Sequence, residues 1–86
     1  MSNQKIMVTL QCYGELQRWC GASQQVEFSQ EQATAQAAID QLLVAFPQAE
    51  GVLKRSACAL GDRLVPTHEK LHNGATLALI PPVSGG

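Results

Sequence analysis

Ala75-Thr76-Leu77-Ala78-Leu79-Ile80-Pro81-Pro82-Val83-Ser84-Gly85-Gly86 stands at the C-terminal end of the sequence, and the body of the fold is read outward from it. Its first six residues alternate. Leu77 and Leu79 point to one side and Thr76, Ala78 and Ile80 to the other, the period of a strand with one buried face. Pro81 and Pro82 each fix φ and donate no backbone hydrogen bond, so the strand cannot continue as an interior strand past Ile80. Two residues without a Cβ follow, which makes for a thin, supple tip able to enter a channel that side chains would block. At roughly 3.3 Å per extended residue, six residues reach about 20 Å. The expectation is a domain over residues 1–80 and a flexible diglycine tail over 81–86 that holds out the Gly86 carboxylate. The competing reading is an idle, frayed chain end.

A second alternating stretch lies at the other end. In Lys5 to Cys12, Ile6, Val8, Leu10 and Cys12 share one face while Met7, Thr9 and Gln11 share the other, again a strand with one buried side. Tyr13-Gly14 breaks it, and Glu15 to Trp19 suits a single helical turn with Leu16 and Trp19 turned toward the core. Gln24 to Phe28 reads as a second strand antiparallel to the first, with Val26 and Phe28 inward.

Ala35, Ala38, Ile39, Leu42, Leu43 and Phe46 recur at spacings of three and four, one apolar stripe on one helix. Thr34 suits its N-cap, with Ser29 and Gln32 an alternative capping box. Pro47 ends it. Residues 48–54 read as a connection. Ser56 to Leu60 and Arg63 to Val65 then flank Gly61-Asp62, glycine leading a two-residue loop as in a type II′ hairpin. Cys58 and Leu60 face inward on that reading. An irregular run from Pro66 plugs Leu71 into the core, and Asn73-Gly74 turns the chain into the last strand.

The order β-β-α-β-β-β with one striped helix predicts a two-layer α+β domain, a mixed sheet packed on one main helix. The two most apolar strands, first and last, belong side by side at its centre. They run parallel in the ubiquitin-like β-grasp arrangement. The uncovered face then carries Met7, Ala78, Ile80 and either Leu64 or Val65 beside the root of the tail, an apolar patch suited to docking a partner.

Composition limits the alternatives. The chain has 86 residues, 45% hydrophobic, with a formal net charge of −1, enough for one core. Without clustered Lys and Arg it offers little to neutralise phosphates, which argues against a nucleic-acid binder. No stretch approaches the roughly 20 apolar residues of a membrane span, and the first residues lack the apolar segment of a signal peptide. A cytoplasmic location is expected. Cys12, Cys20 and Cys58 cannot all pair, so free thiols are expected. His68 and His72 stand four apart but have no C-x-x-C pair with which to build a metal site, so no metal is expected.

The segment Leu77 to Gly86, with Leu64-Val65 and Leu71-His72-Asn73-Gly74 upstream, resembles the small sulfur-carrying subunit of molybdopterin synthase, of the MoaD/ThiS group of ubiquitin-like proteins. The proline pair before the diglycine is the specific part, since Gly-Gly alone also ends the thiazole-synthesis carrier and protein modifiers. Where the family commonly has Val-Asn before the hairpin turn and Asp-Gly-Asp before the last strand, this sequence has Leu60-Gly61 and Asn73-Gly74-Ala75. Aliphatic Leu79 and Ile80 stand where aromatics are often found.

The resemblance implies a mechanism. An ATP-dependent adenylating enzyme of the ubiquitin-activating type grips the open sheet face and activates Gly86, and a persulfide donor supplies sulfur to give a thiocarboxylate. The tail, Pro81, Pro82, Val83, Ser84, Gly85 and Gly86, then enters the large synthase subunit and delivers sulfur for the dithiolene of molybdopterin. Met7, Leu64, Ala78 and Ile80 form the docking surface. On this reading the chain binds no cofactor and is no enzyme on its own; ATP is used by the activating enzyme, and the carrier works as a cosubstrate in a hetero-oligomer. The alternatives are a carrier for thiazole or another product, or a ubiquitin-like modifier that joins Gly86 to lysines.

Overall fold

The computed structural model describes residues 4–82. Five strands form one mixed sheet: β1 (Lys5–Cys12), β2 (Ser23–Ser29), β3 (Ala57–Leu60), β4 (Arg63–Val65) and β5 (Thr76–Ile80), in the spatial order β2-β1-β5-β3-β4. β1 and β5 pair in parallel at the centre, with Leu10 beside Leu77 and Cys12 beside Leu79. β2 runs antiparallel to β1, and β3 runs antiparallel to both β5 and β4. The expected ubiquitin-like β-grasp is what forms. The strand assignments hold to within two residues at each end.

The reason lies in the inward faces. Ile6, Val8, Leu10 and Cys12 of β1 and Leu77 and Leu79 of β5 are all buried, four of these six without measurable exposure. A buried leucine contributes roughly 1.5–3 kcal/mol relative to an exposed one, so the two strands richest in such residues belong in the middle, where both neighbours and the helical layer cover them. The main helix, α2 (Ala35–Ala45), lays Ala35, Ala38, Ile39 and Leu42 into the same core, with Leu43 and Phe46 packed at its margin. Thr34 is its N-cap, the hydroxyl accepting from the Ala37 N–H at 3.1 Å. Ser29 instead precedes a short 3₁₀ turn at Gln30–Gln32 and makes no side-chain cap.

Two local expectations are corrected. In α1 (Leu16–Cys20) the buried pair is Leu16 and Cys20, while Trp19 is 43% exposed. The inward side of this single turn runs through the i, i+4 positions, and Trp19 faces out. The connection after Pro47 is also more ordered than a loop: a 3₁₀ turn, Pro47–Ala49, leads into α3 (Glu50–Arg55), which buries Val52 and Leu53.

The connections behave as read. Gly61 has φ of 60° while among the described residues no non-glycine residue, Asp62 included, has positive φ, which identifies the β3–β4 turn as type II′. Leu71 is buried, its N–H donating to the Ala33 carbonyl at 2.7 Å. The turn before β5 is clamped onto β1: Gly74 N–H donates to Met7 O at 2.8 Å and Met7 N–H to Asn73 Oδ1 at 2.9 Å. His68 and His72 lie in this irregular stretch and not on a common helix face.

Replacing Leu77 by alanine should cost about 2–5 kcal/mol, since the cavity opens where both layers and both central strands meet. Urea unfolding measures it, and a loss below about 1 kcal/mol would show that the parallel pair is not the centre of the core.

Candidate functional site

β5 ends where the sequence says it must. Its last cross-strand pair joins Ile80 to Ala57 of β3, and on the other side the Tyr13 N–H donates to the Leu79 carbonyl at 3.2 Å. Pro81 is half-buried and Pro82 exposed. The body of the chain is thus left at the C-terminal end of the central parallel strand. Val83, Ser84, Gly85 and Gly86 lie outside the described residues.

The face turned away from the helices divides in two. Register places Leu64 of β4, Ala59 of β3 and Ala78 of β5 in one row across three strands, with Ala57 and Ile80 in the row beside it. Leu64 is 68% exposed and Ile80 40%. Val65 is paired with Cys58 and buried, so Leu64 is the outward residue of the two. Ala59 faces out but is nearly covered, lying between Leu64 and Ala78 in its row, and it stays outside the core cluster. Across β1 and β2 the same face is polar: Gln11, Thr9, Ser23, Gln25 and Glu27.

Of the four residues read as a docking surface, the structure brings together Leu64, Ala78 and Ile80. Met7 shares the face but sits four residues along β1 from Gln11, the residue paired with Ala78, a separation of about 13 Å at strand rise. It stands opposite Glu27. Alternation of apolar residues finds the face but not the row. Tyr13 follows the strand proper and is exposed, and its hydroxyl donates to Oε1 of Gln11, the residue paired with Ala78, at 2.9 Å. Ala57 and Ala59 were missed because alanine carries no strong signal of either face.

The other chemical groups point away from catalysis. All three cysteines are free and buried. Burial, with charge repulsion and a hydrogen bond donated to Cys20, pushes the Cys12 thiol up to about 11. Burial also raises Cys20, partly offset by the bond it accepts from Cys12, and raises Cys58. Thiols so held are protonated and inert at neutral pH. Among the described residues no three His, Cys, Asp or Glu side chains converge as metal ligands, and no helix is long and apolar enough to cross a membrane. A surface hollow of about 400 Å³, lined by Gln4, Gln30, Glu31, Lys70, Leu71 and His72, lies at the pole where β1 and β5 begin, away from Pro81.

Comparison with known proteins agrees with this layout. The model of the ThiS family matches residues 10–86. The crystal structure of small archaeal modifier protein 1 from Haloferax volcanii is 25% identical, with a TM-score of 0.81 over 93% of this chain and 99% of its own. A candidate subunit 1 of the molybdopterin converting factor from Pyrococcus furiosus gives 17% identity and a TM-score of 0.77, covering 91% and 99% of the two chains. A chain from the complex of subunits 1 and 2 of the molybdopterin-converting factor of Helicobacter pylori gives 23% and 0.64, covering 94% and 100%.

The raised thiols carry a pH dependence. A group whose pKa is higher in the folded state stabilises the fold fully below its unfolded value, roughly 8.5 for cysteine, and that contribution is lost as pH rises through the folded value. Melting temperature should therefore fall between about pH 8.5 and 11. In the wild type this fall should be steeper than in a Cys12→Ala, Cys20→Ala, Cys58→Ala variant; parallel curves would contradict it.

Proposed function

The chain belongs to the ThiS family, and on that premise we propose that it is a sulfur carrier whose C-terminal Gly86 is adenylated, converted to a thiocarboxylate and used as a sulfur donor by the large subunit of molybdopterin synthase. The observation that carries the reading is the position of β5: the central parallel strand ends at Pro81-Pro82 beside an exposed apolar half-face, and the family match runs through Gly86. The likeness to a subunit 1 that forms a complex with a subunit 2 supports a hetero-oligomer.

The chemistry follows from the terminal group. A carboxylate is a poor electrophile because its leaving group would be oxide. Reaction with ATP, bound by a ubiquitin-activating-type partner, forms an acyl adenylate and releases pyrophosphate. A persulfide donor then attacks the carbonyl and displaces AMP to give an acyl disulfide, and a second thiol of the donor system attacks the donor's own sulfur, forming a disulfide and releasing the thiocarboxylate. Tethering that sulfur to a docked domain raises its effective concentration in the acceptor's site. Pro81, Pro82, Val83, Ser84 and Gly85 make up the tether. Leu64, Ala78 and Ile80 hold the domain against its partners, with Met7 at the margin of the footprint. The chain contributes no acid, base, metal or bound cofactor, so it is a cosubstrate and no enzyme on its own. The Pro81-Pro82 pair favours the molybdopterin pathway over thiazole formation. All of these steps belong to the cytoplasm.

The similarity to a small archaeal modifier protein favours one second reading, in which the same activated Gly86 acylates a lysine. The two readings share the adenylate and differ in the nucleophile that meets it.

Incubation with ATP, an activating enzyme and a persulfide donor should raise the intact mass by about 16 Da, the exchange of oxygen for sulfur at an activated acyl group. An unchanged mass with an intact chain would contradict the carrier reading, and a lysine conjugate in its place would select the modifier. Ile80→Asp should weaken binding of the large subunit by roughly 10-fold or more by carrying a charge into an apolar contact. Met7→Asp should weaken it less, and equal losses would move the footprint toward β2.

A further inference from the structure

Gly14 lies beneath the root of the tail. Its φ is +55°, and a Cβ built on it would stand 3.3 Å from Cγ of Pro81 and 4.0 Å from Cδ, tighter than carbon atoms ordinarily approach at the nearer point. The Pro81 ring therefore rests close on this backbone, and a Cβ at position 14 would require it to give by a few tenths of an ångström. The backbone here is held firmly. The neighbouring Tyr13 N–H bonds the Leu79 carbonyl, and the Tyr13 and Gly14 carbonyls accept from Leu16 and Gln17, each at 3.1 Å, as the first turn of α1. α1 is in turn pinned by Leu16 and Cys20, both buried in the core. With φ of Pro81 fixed by its own ring, a core-anchored seat on one side and the Ala57–Ile80 pair on the other define the direction in which the chain leaves the sheet.

We propose that Gly14 is a positioning residue for the acyl-transfer chemistry at Gly86: by seating Pro81 it aims the tether, while the open sheet face provides affinity. This rests on the carrier reading given above. A side chain at 14 must push the ring aside. Displacing the ring shifts the point from which the tether leaves the body, and misplacement by about 1 Å at a reacting centre can cost 10²-fold. No atom of the docking residues Leu64, Ala78 and Ile80 lies within 4 Å of a Cβ at position 14.

The test separates aim from affinity and from folding. Gly14→Asn carries a Cβ yet tolerates the left-handed backbone better than other side chains; Gly14→Ala serves as its companion. With the activating enzyme, thiocarboxylation of folded Gly14→Asn should show kcat reduced by about 10-fold with KM for the carrier unchanged. Adding Pro81→Ala, which removes the obstructing ring atoms, should recover part of that loss. Wild-type kcat in the folded variant, a rise in KM alone, or strictly additive losses in the double variant would overturn the role. Nuclear Overhauser contacts between the Gly14 α-protons and the Pro81 ring report the seat without any partner, and their absence in the wild type would also overturn it. A wild-type chain that shows those contacts but is never thiocarboxylated would overturn the carrier reading, and with it the role assigned to Gly14, while leaving the geometry intact.

Discussion

Strands from opposite ends of the chain meet side by side in the middle of the sheet, and the parallel pairing of β1 with β5 governs the rest. Parallel neighbours cannot be joined by a tight turn, so every other element lies in the connection between them and must be routed around the pair. β2 folds back along the outer edge of β1, the helical layer crosses beneath, and the β3–β4 hairpin returns to cover the far side of β5. The leucines of the pair, Leu10, Leu77 and Leu79, have no measurable exposure. Because the strands are parallel, β5 finishes at the same pole as β1, where the Tyr13-Gly14 turn begins. The chain therefore leaves the sheet beside a rigid turn and not beside a free edge.

From this placement comes a division of labour between the two faces of the sheet. The inner face holds the fold together and hides the thiols, whose burial keeps them protonated and out of any chemistry. The outer face is polar over β1 and β2 and apolar over β5, β3 and β4, so the surface available for a partner adjoins the strand that leads to the tail. A domain that binds through this half-face presents its chain end in a defined direction. On the proposed carrier reading, affinity and reactivity then reside in different residues, as passing one carboxylate among several proteins would require.

Much of this was legible in the residue pattern. The alternation in Lys5–Cys12 and Thr76–Ile80 identified the central strands, Thr34 and Pro47 marked the main helix, and Gly61-Asp62 specified its turn. α3 was hard to read as a helix because it is only six residues long, although buried Ala49, Val52 and Leu53 stand at i, i+3 and i+4. Its signal was electrostatic: Pro47 opens the preceding turn, Glu50 stands in the first turn of α3 and Lys54 and Arg55 in its last, the arrangement a helix dipole favours. Of the candidate site, the proline stop and the shared face of Leu64, Ala78 and Ile80, the residues proposed for docking, could be read from alternation. The distance of Met7 from the others could not, since it depends on the register between β1 and β5. The contact between Gly14 and Pro81 depends on the same register, and no local pattern at either residue announces it.

The central claim is chemical: the carboxylate at the end of this chain is itself a substrate. The most direct measurement is ATP–pyrophosphate exchange by the activating enzyme, comparing the natural chain with a semisynthetic one whose Gly86 ends in a carboxamide. The two differ in a single group. Exchange should be sustained by the carboxylate and absent with the carboxamide. Equal exchange with both chains would place the activated group elsewhere and contradict the claim.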